Sequence, residues 1–136
     1  LMYVIADERD VVKLRSNYRK DLVYVYPIKT TQEKTKALFL DMIERTNKLK
    51  EQSEFYNTLT STCTTNIMQH VNKITPQKVP FSYKVLLPSY SDKLAYDLGL
   101  IDTTLSFEEA RAKYLINDRA LKYGNSPDFS VKIRSN

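Results

Sequence analysis

The single cysteine, Cys63, and the single histidine, His70, are the first side chains whose chemistry the sequence marks. Cys63 stands in the run Asn57-Thr58-Leu59-Thr60-Ser61-Thr62-Cys63-Thr64-Thr65-Asn66, where every other residue except Leu59 is Ser, Thr or Asn. Such side chains start helices, because their oxygens accept bonds from unpaired backbone N–H groups. Apolar helical spacing begins as the run ends, with Ile67, Val71 and Ile74 continuing the cysteine's face. The pattern predicts a helix that starts between Ser61 and Thr64, with Cys63 in its first turn. There the helix dipole favours a thiolate, and cysteines so placed titrate at about 3.5–7.5 instead of about 8.5. That is the setting of a nucleophile. The competing reading is a small buried apolar residue, the commonest place for a free cysteine.

His70 follows seven residues later. On one straight helix it returns to nearly the same face, but about 10.5 Å along the axis. A nucleophile and its base need roughly 2.6–3.2 Å between heavy atoms. His70 is therefore expected to be a packing or surface residue, and a cysteine–histidine enzyme would draw its base from outside this chain. One Cys and one His cannot supply the ligands of a structural zinc site, and one Cys cannot close an internal disulfide. Glycine occurs only at 99 and 124, which excludes a phosphate-binding loop and a dinucleotide fingerprint. Neither a metal nor a cofactor is expected. The acids Asp7, Glu8 and Asp10 are too clustered for a glycosidase pair, and read as solvated or paired with Arg9, Arg15 or Arg19.

The elements that must position these residues form one domain over 1–136, a length that can bury a core without disulfides. Tyr3-Val4-Ile5-Ala6 and Leu22-Val23-Tyr24-Val25-Tyr26-Pro27 read as strands, the second closed by its proline. Thr30 to Glu33 has capping-box spacing and opens a helix with Leu38, Phe39, Met42, Ile43 and Leu49 on one stripe. Asp92 to Leu98 reads as a short helix ended by Gly99, and Ser106 to Glu109 as a second capping box. Asn117 to Lys122 adds a turn, and the tail from Phe129 to Asn136 reads as polar and extended. The expected class is α+β, mostly helical with a small sheet. Because the chain opens in an apolar run, a sheet edge carrying Tyr3, Ile5, Val23 and Val25 is expected to invite self-association.

Net charge is +5, from 21 Lys and Arg against 16 Asp and Glu, and the basic residues are spread among acids. Nucleic-acid binding would need a denser basic stripe, and is not expected. No apolar run approaches the roughly 20 residues of a membrane-spanning helix.

Several stretches together resemble a bacterial family, the Lnb N-terminal periplasmic domain family. They are Ala6-Asp7-Glu8-Arg9-Asp10, Leu14-Arg15-Ser16-Asn17, Tyr56-Asn57-Thr58-Leu59-Thr60, Cys63-Thr64-Thr65-Asn66, Val85-Leu86-Leu87-Pro88-Ser89-Tyr90-Ser91-Asp92 and Leu98-Gly99-Leu100-Ile101-Asp102. The resemblance implies a periplasmic or cell-envelope domain, membrane-proximal and linked to lipoprotein N-acylation. It further implies part of a circularly permuted papain-like fold, in which a histidine precedes the cysteine. By that likeness Cys63 maps to the nucleophile, and Asn57, Thr60, Thr64 and Asn66 to supporting or binding positions. The chain then reads as the C-terminal portion of a larger periplasmic domain, with the histidine expected upstream of Leu1. Where the family usually carries Asn before the cysteine, this chain has Thr62, which can cap a helix but offers no amide to an oxyanion.

Two functions follow from different classes. One is a cysteine-dependent acyltransferase or hydrolase acting on a lipid or lipoprotein, with this piece alone inactive. The other is a non-catalytic envelope interaction module in which Cys63 is structural.

Overall fold

The structure, a computed structural model, describes residues 1–57, 60–76 and 78–135. Thr58 and Leu59 of the motif around Asn57, and Asn136 of the tail, lie outside the described residues. Along the chain, α1 (Glu8–Lys13) runs into a π-helical turn (Leu14–Tyr18). There follow α2 (Gln32–Glu51), α3 (Cys63–Ile74), α4 (Tyr83–Leu86), a 3-10 turn (Pro88–Tyr90), α5 (Ser91–Asp97), α6 (Phe107–Tyr114), α7 (Asn117–Lys122) and α8 (Phe129–Lys132).

The expected α+β class, a small sheet in part of a permuted papain-like fold, is corrected by this architecture. The described residues are helical and hold no strand, only isolated bridges such as Tyr24 with Leu115. Leu22 to Tyr26 is extended, yet its backbone partners come from the α6–α7 turn. Ile116 N–H donates to the Val23 carbonyl at 3.0 Å and Val25 N–H to the Tyr114 carbonyl at 3.0 Å. Asn117 completes the pairing by accepting Val23 N–H at 2.9 Å and donating to the Asp21 carbonyl at 2.8 Å. A turn and one amide side chain thus satisfy groups that a second strand would have paired. Val4 and Ile5 of the first apolar run are exposed. The edge expected for self-association therefore has no sheet to belong to.

The chain groups into two compact units, Leu1–Tyr3 with Ile28–Ile101 and Val4–Pro27 with Asp102–Asn136. In the second, Ile116, Ala120, Phe129 and Ile133 form a buried cluster under Val12, Val23 and Val25. The tail is thus not extended: Phe129 and Ile133, four residues apart, place α8 on this core. Glu8 accepts both guanidinium arms of Arg134, at 2.7 and 2.5 Å, which ties α1 to the residues just beyond α8. Asn17 donates to the Ala120 carbonyl at 3.0 Å, and Gly124 lies so near that a Cβ there would meet the Asn17 amide at 3.0 Å.

In the first unit Thr31, not Thr30, caps α2, its hydroxyl accepting Lys34 N–H at 3.3 Å. Of the α2 stripe, Leu49 is buried and Leu38, Met42 and Ile43 are half-buried, but Phe39 is 57% exposed. Gly99 ends α5 at φ +67°, the left-handed conformation that glycine takes without a Cβ penalty. Lys29 N–H then meets the Leu100 carbonyl at 2.8 Å, and Val85 and Ile101 are buried. No helix among the described residues is long and apolar enough to cross a membrane.

Phe129, fully enclosed, and Phe39, largely in solvent, should separate in a denaturant titration. Phe129→Ala is expected to cost about 3–5 kcal/mol, and Phe39→Ala to stay within about 0.5 kcal/mol. A comparable loss for Phe39→Ala would show that its ring is covered.

Candidate functional site

Cys63 is the first residue of α3 and is exposed. Its placement follows from Thr62, whose hydroxyl accepts Thr65 N–H at 3.1 Å while Thr62 N–H donates to Thr65 Oγ1 at 2.7 Å. This reciprocal cap is buried, and it fixes where the helix begins. Asn66 N–H donates to the Thr62 carbonyl at 3.1 Å. The first-turn donors left over by the cap are the N–H groups of Cys63 and Thr64. The nearest polar partner of the thiol is Thr64 Oγ1, 3.7 Å from Cys63 Sγ. A cysteine this exposed is not the small core residue of the competing reading.

The other residues implied by the family motif shape the turn before the helix. Asn57 and Ser61 exchange backbone bonds at 3.3 and 2.9 Å, and Asn57 Oδ1 accepts Thr60 N–H at 3.0 Å. Thr60 offers its carbonyl to Thr65 Oγ1 at 3.4 Å. Asn66 is buried, its amide donating to the Thr62 carbonyl at 2.8 Å and to Ser61 Oγ at 3.3 Å. Thr64 therefore neighbours the thiol, whereas Asn57, Thr60 and Asn66 bond to the loop and cap that hold it.

Helix α3 turns its polar side inward. Thr65, Asn66 and His70 are buried, while Ile67, one turn beyond the cysteine, is 55% exposed. His70 is 3% exposed and spends both ring nitrogens within the first unit. Its Nδ1 lies 2.5 Å from Asp41 Oδ2, and its Nε2 lies 2.6 Å from the Tyr3 hydroxyl. A carboxylate can only accept, so Nδ1 carries a proton, and Nε2 and the phenol share the second hydrogen bond. The His70 ring thus has no nitrogen left for Cys63, as the helical spacing required.

Charged neighbours complete this cluster. Lys73 donates to Asp41 Oδ1 at 2.7 Å, and Arg45 grips Glu54 through two bonds at 2.7 and 2.5 Å. The backbone nitrogen of Leu1 donates to the Glu54 carbonyl at 2.5 Å. Burial pushes the Asp41 carboxyl up, but the hydrogen bonds from His70 and Lys73 outweigh it and hold it below the ordinary range. Burial pushes the Tyr3 phenol above its ordinary value against the pull of Arg45.

Tyr3 and Asp41 were not singled out by the sequence. Asp41 lies on α2 among the residues of its charged face, and Tyr3 reads as a strand residue. Their partner is 29 and 67 positions away, beyond any helical or strand period. The one available signal was a lone histidine on the helix face of Ile67, Val71 and Ile74, where an imidazole needs partners if buried.

A family model, the Lnb N-terminal periplasmic domain, matches residues 1–89, which include α1, α2, α3 and the whole Tyr3–His70–Asp41 cluster. Neither the curated proteins nor the solved structures contain a match.

The lowered Asp41 pKa sets a sign for acid stability. A depressed carboxyl contributes stability that is fully present above its unfolded value, about 3.9, and is lost as pH falls through its lower folded value. Asp41→Asn should therefore lower stability near neutral pH and flatten the profile in that acid window. Equal pH slopes for the two proteins, measured by urea unfolding at each pH, would show that Asp41 is not held charged by His70 and Lys73.

Proposed function

The chain belongs to the Lnb N-terminal periplasmic domain family, a domain of the cell envelope, and from that membership we propose a thiol acyl-transfer function with Cys63 as the nucleophile. The observation that carries this reading is the exposed thiol at the first residue of a capped helix. The Cys63 thiolate attacks the ester carbonyl of an acylated lipid or lipoprotein, and the new tetrahedral oxygen bears the negative charge. The leftover N–H groups of Cys63 and Thr64 are donors of the kind that stabilise such an oxyanion. Collapse expels the alcohol and leaves a thioester on Cys63. An amine then takes the acyl group in the transferase outcome, and water takes it in the hydrolase outcome.

Thr64 supports the thiol directly, and Asn57, Thr60 and Asn66 hold the loop and cap around it. Ile67 adds exposed apolar surface one turn along the same face, which suits an acyl chain. The proton of the thiol needs an acceptor other than His70, whose ring nitrogens are engaged. Turnover by this chain alone is accordingly not expected, but the first half-reaction with an activated ester needs no protonation of the leaving group.

Incubation with a short-chain p-nitrophenyl ester should place one acyl group on Cys63, read by intact mass and removed by hydroxylamine as a thioester. Cys63→Ala should reduce the adduct to background. An adduct of equal yield in that variant, or none in the parent chain, would end the nucleophile assignment.

A further inference from the structure

We propose that Tyr3, His70 and Asp41 form a second reactive centre, a proton relay in which the Tyr3 hydroxyl is the nucleophile towards ester-linked acyl groups. The inference goes beyond the thiol reading, uses none of its residues and does not depend on it.

The first argument is connectivity. Asp41 Oδ2 accepts the Nδ1 proton at 2.5 Å, so in the neutral ring the Nε2 lone pair faces the Tyr3 hydroxyl 2.6 Å away. Carboxylate, imidazole and hydroxyl divide the work here as they do in hydrolytic triads, with a phenol in place of an alcohol. The second argument is charge. When the phenol proton moves to Nε2, the imidazolium faces Asp41, whose other oxygen is bound by Lys73 at 2.7 Å. The phenolate faces Arg45, which is itself braced by two bonds to Glu54. Each charge created by the transfer thus finds an opposite charge already in place, and preorganised partners of this kind lower the cost of separating charge. The third argument is exposure. His70 is buried away from bulk water, while Tyr3 is only half-buried, so a substrate can reach the hydroxyl but not the base.

The step balances. The Tyr3 proton passes to His70 Nε2 as the phenol oxygen bonds to the carbonyl carbon. The ester C–O bond breaks, and the departing alkoxide takes the proton back from His70. A tyrosyl ester remains, and water hydrolyses it. Asp41 acts through the ring as a positioning residue.

A structural tie would use the same three side chains, so the test reads reactivity. Phenylmethanesulfonyl fluoride forms a stable sulfonate: the phenol oxygen bonds to sulfur, the S–F bond breaks, and fluoride and the proton leave. Treatment of the whole chain, with labelled peptides identified by mass, should mark Tyr3 ahead of the more exposed Tyr18. His70→Ala should slow Tyr3 labelling by about 100-fold or more, the contribution expected of a positioned base. Added imidazole should restore labelling at Tyr3 but not at Tyr18. Asp41→Asn, close in shape, should slow it in the same direction and serves if His70→Ala does not fold. Tyr3 labelling no faster than that of Tyr18, unchanged by either variant, or rescued by imidazole at both tyrosines alike would overturn the relay. Labelling or acylation at Cys63 appears on a different peptide, so failure of the thiol reading remains separate from failure of this one.

Discussion

The first unit is arranged around the need to bury an imidazole with both nitrogens bonded. An unpaired buried polar group costs about 1–3 kcal/mol, and a ring with two leaves little choice of neighbours. His70 meets this need with Asp41 from α2 and Tyr3 from the start of the chain. The N-terminal residues, α2 and α3 therefore share one polar centre. The reciprocal cap of Thr62 and Thr65 and the buried amide of Asn66 extend the same principle to the beginning of α3. Few large apolar side chains are fully enclosed in this unit; Leu49, Val85 and Ile101 are buried, beside Thr62, Thr65, Asn66 and His70.

Burial changes along α3, from an exposed first residue to an enclosed ring two turns later on nearly the same face. With Thr65, Asn66 and His70 turned in, Cys63 and Ile67 are left to solvent. The thiol and the imidazole are thus not a dyad broken by distance alone. They lie on a helix whose buried requirement holds the ring and releases the sulfur. In this cell-envelope domain the thiol is accessible beside apolar surface, while the imidazole is shielded from water.

The second unit is held by a different force. Phe129 and Ile133 close over Ile116 and Ala120, and burial of their apolar area does the work that hydrogen bonds do in the first unit. Its extended segment also shows why an apolar alternating run need not become a sheet. The groups at Val23 and Val25 bond to Tyr114, Ile116 and the Asn117 side chain, so no further strand is required.

Much of the local structure was legible in the residues themselves. The Ser/Thr/Asn run placed the start of α3 between Ser61 and Thr64, which holds Cys63, Gly99 ended α5, and the Ser106–Glu109 box opened α6, because caps are set by side chains within four residues of the backbone they satisfy. The family motif was legible too, and with it the envelope setting. The sheet was misread because strand propensity reports a fit to a pleated, half-buried surface, and the surface that received Leu22 to Tyr26 was a turn. The tail was misread because Phe129 and Ile133 look sparse among polar neighbours until a core is there to take them. By itself, then, the sequence determined the starts of α3 and α6 and the end of α5, and that the lone histidine could not serve the lone cysteine. Only the tertiary structure decided which face of α3 turned inward and which distant residues met His70, because those outcomes depend on pairing polar groups far apart in the chain, which no local period records.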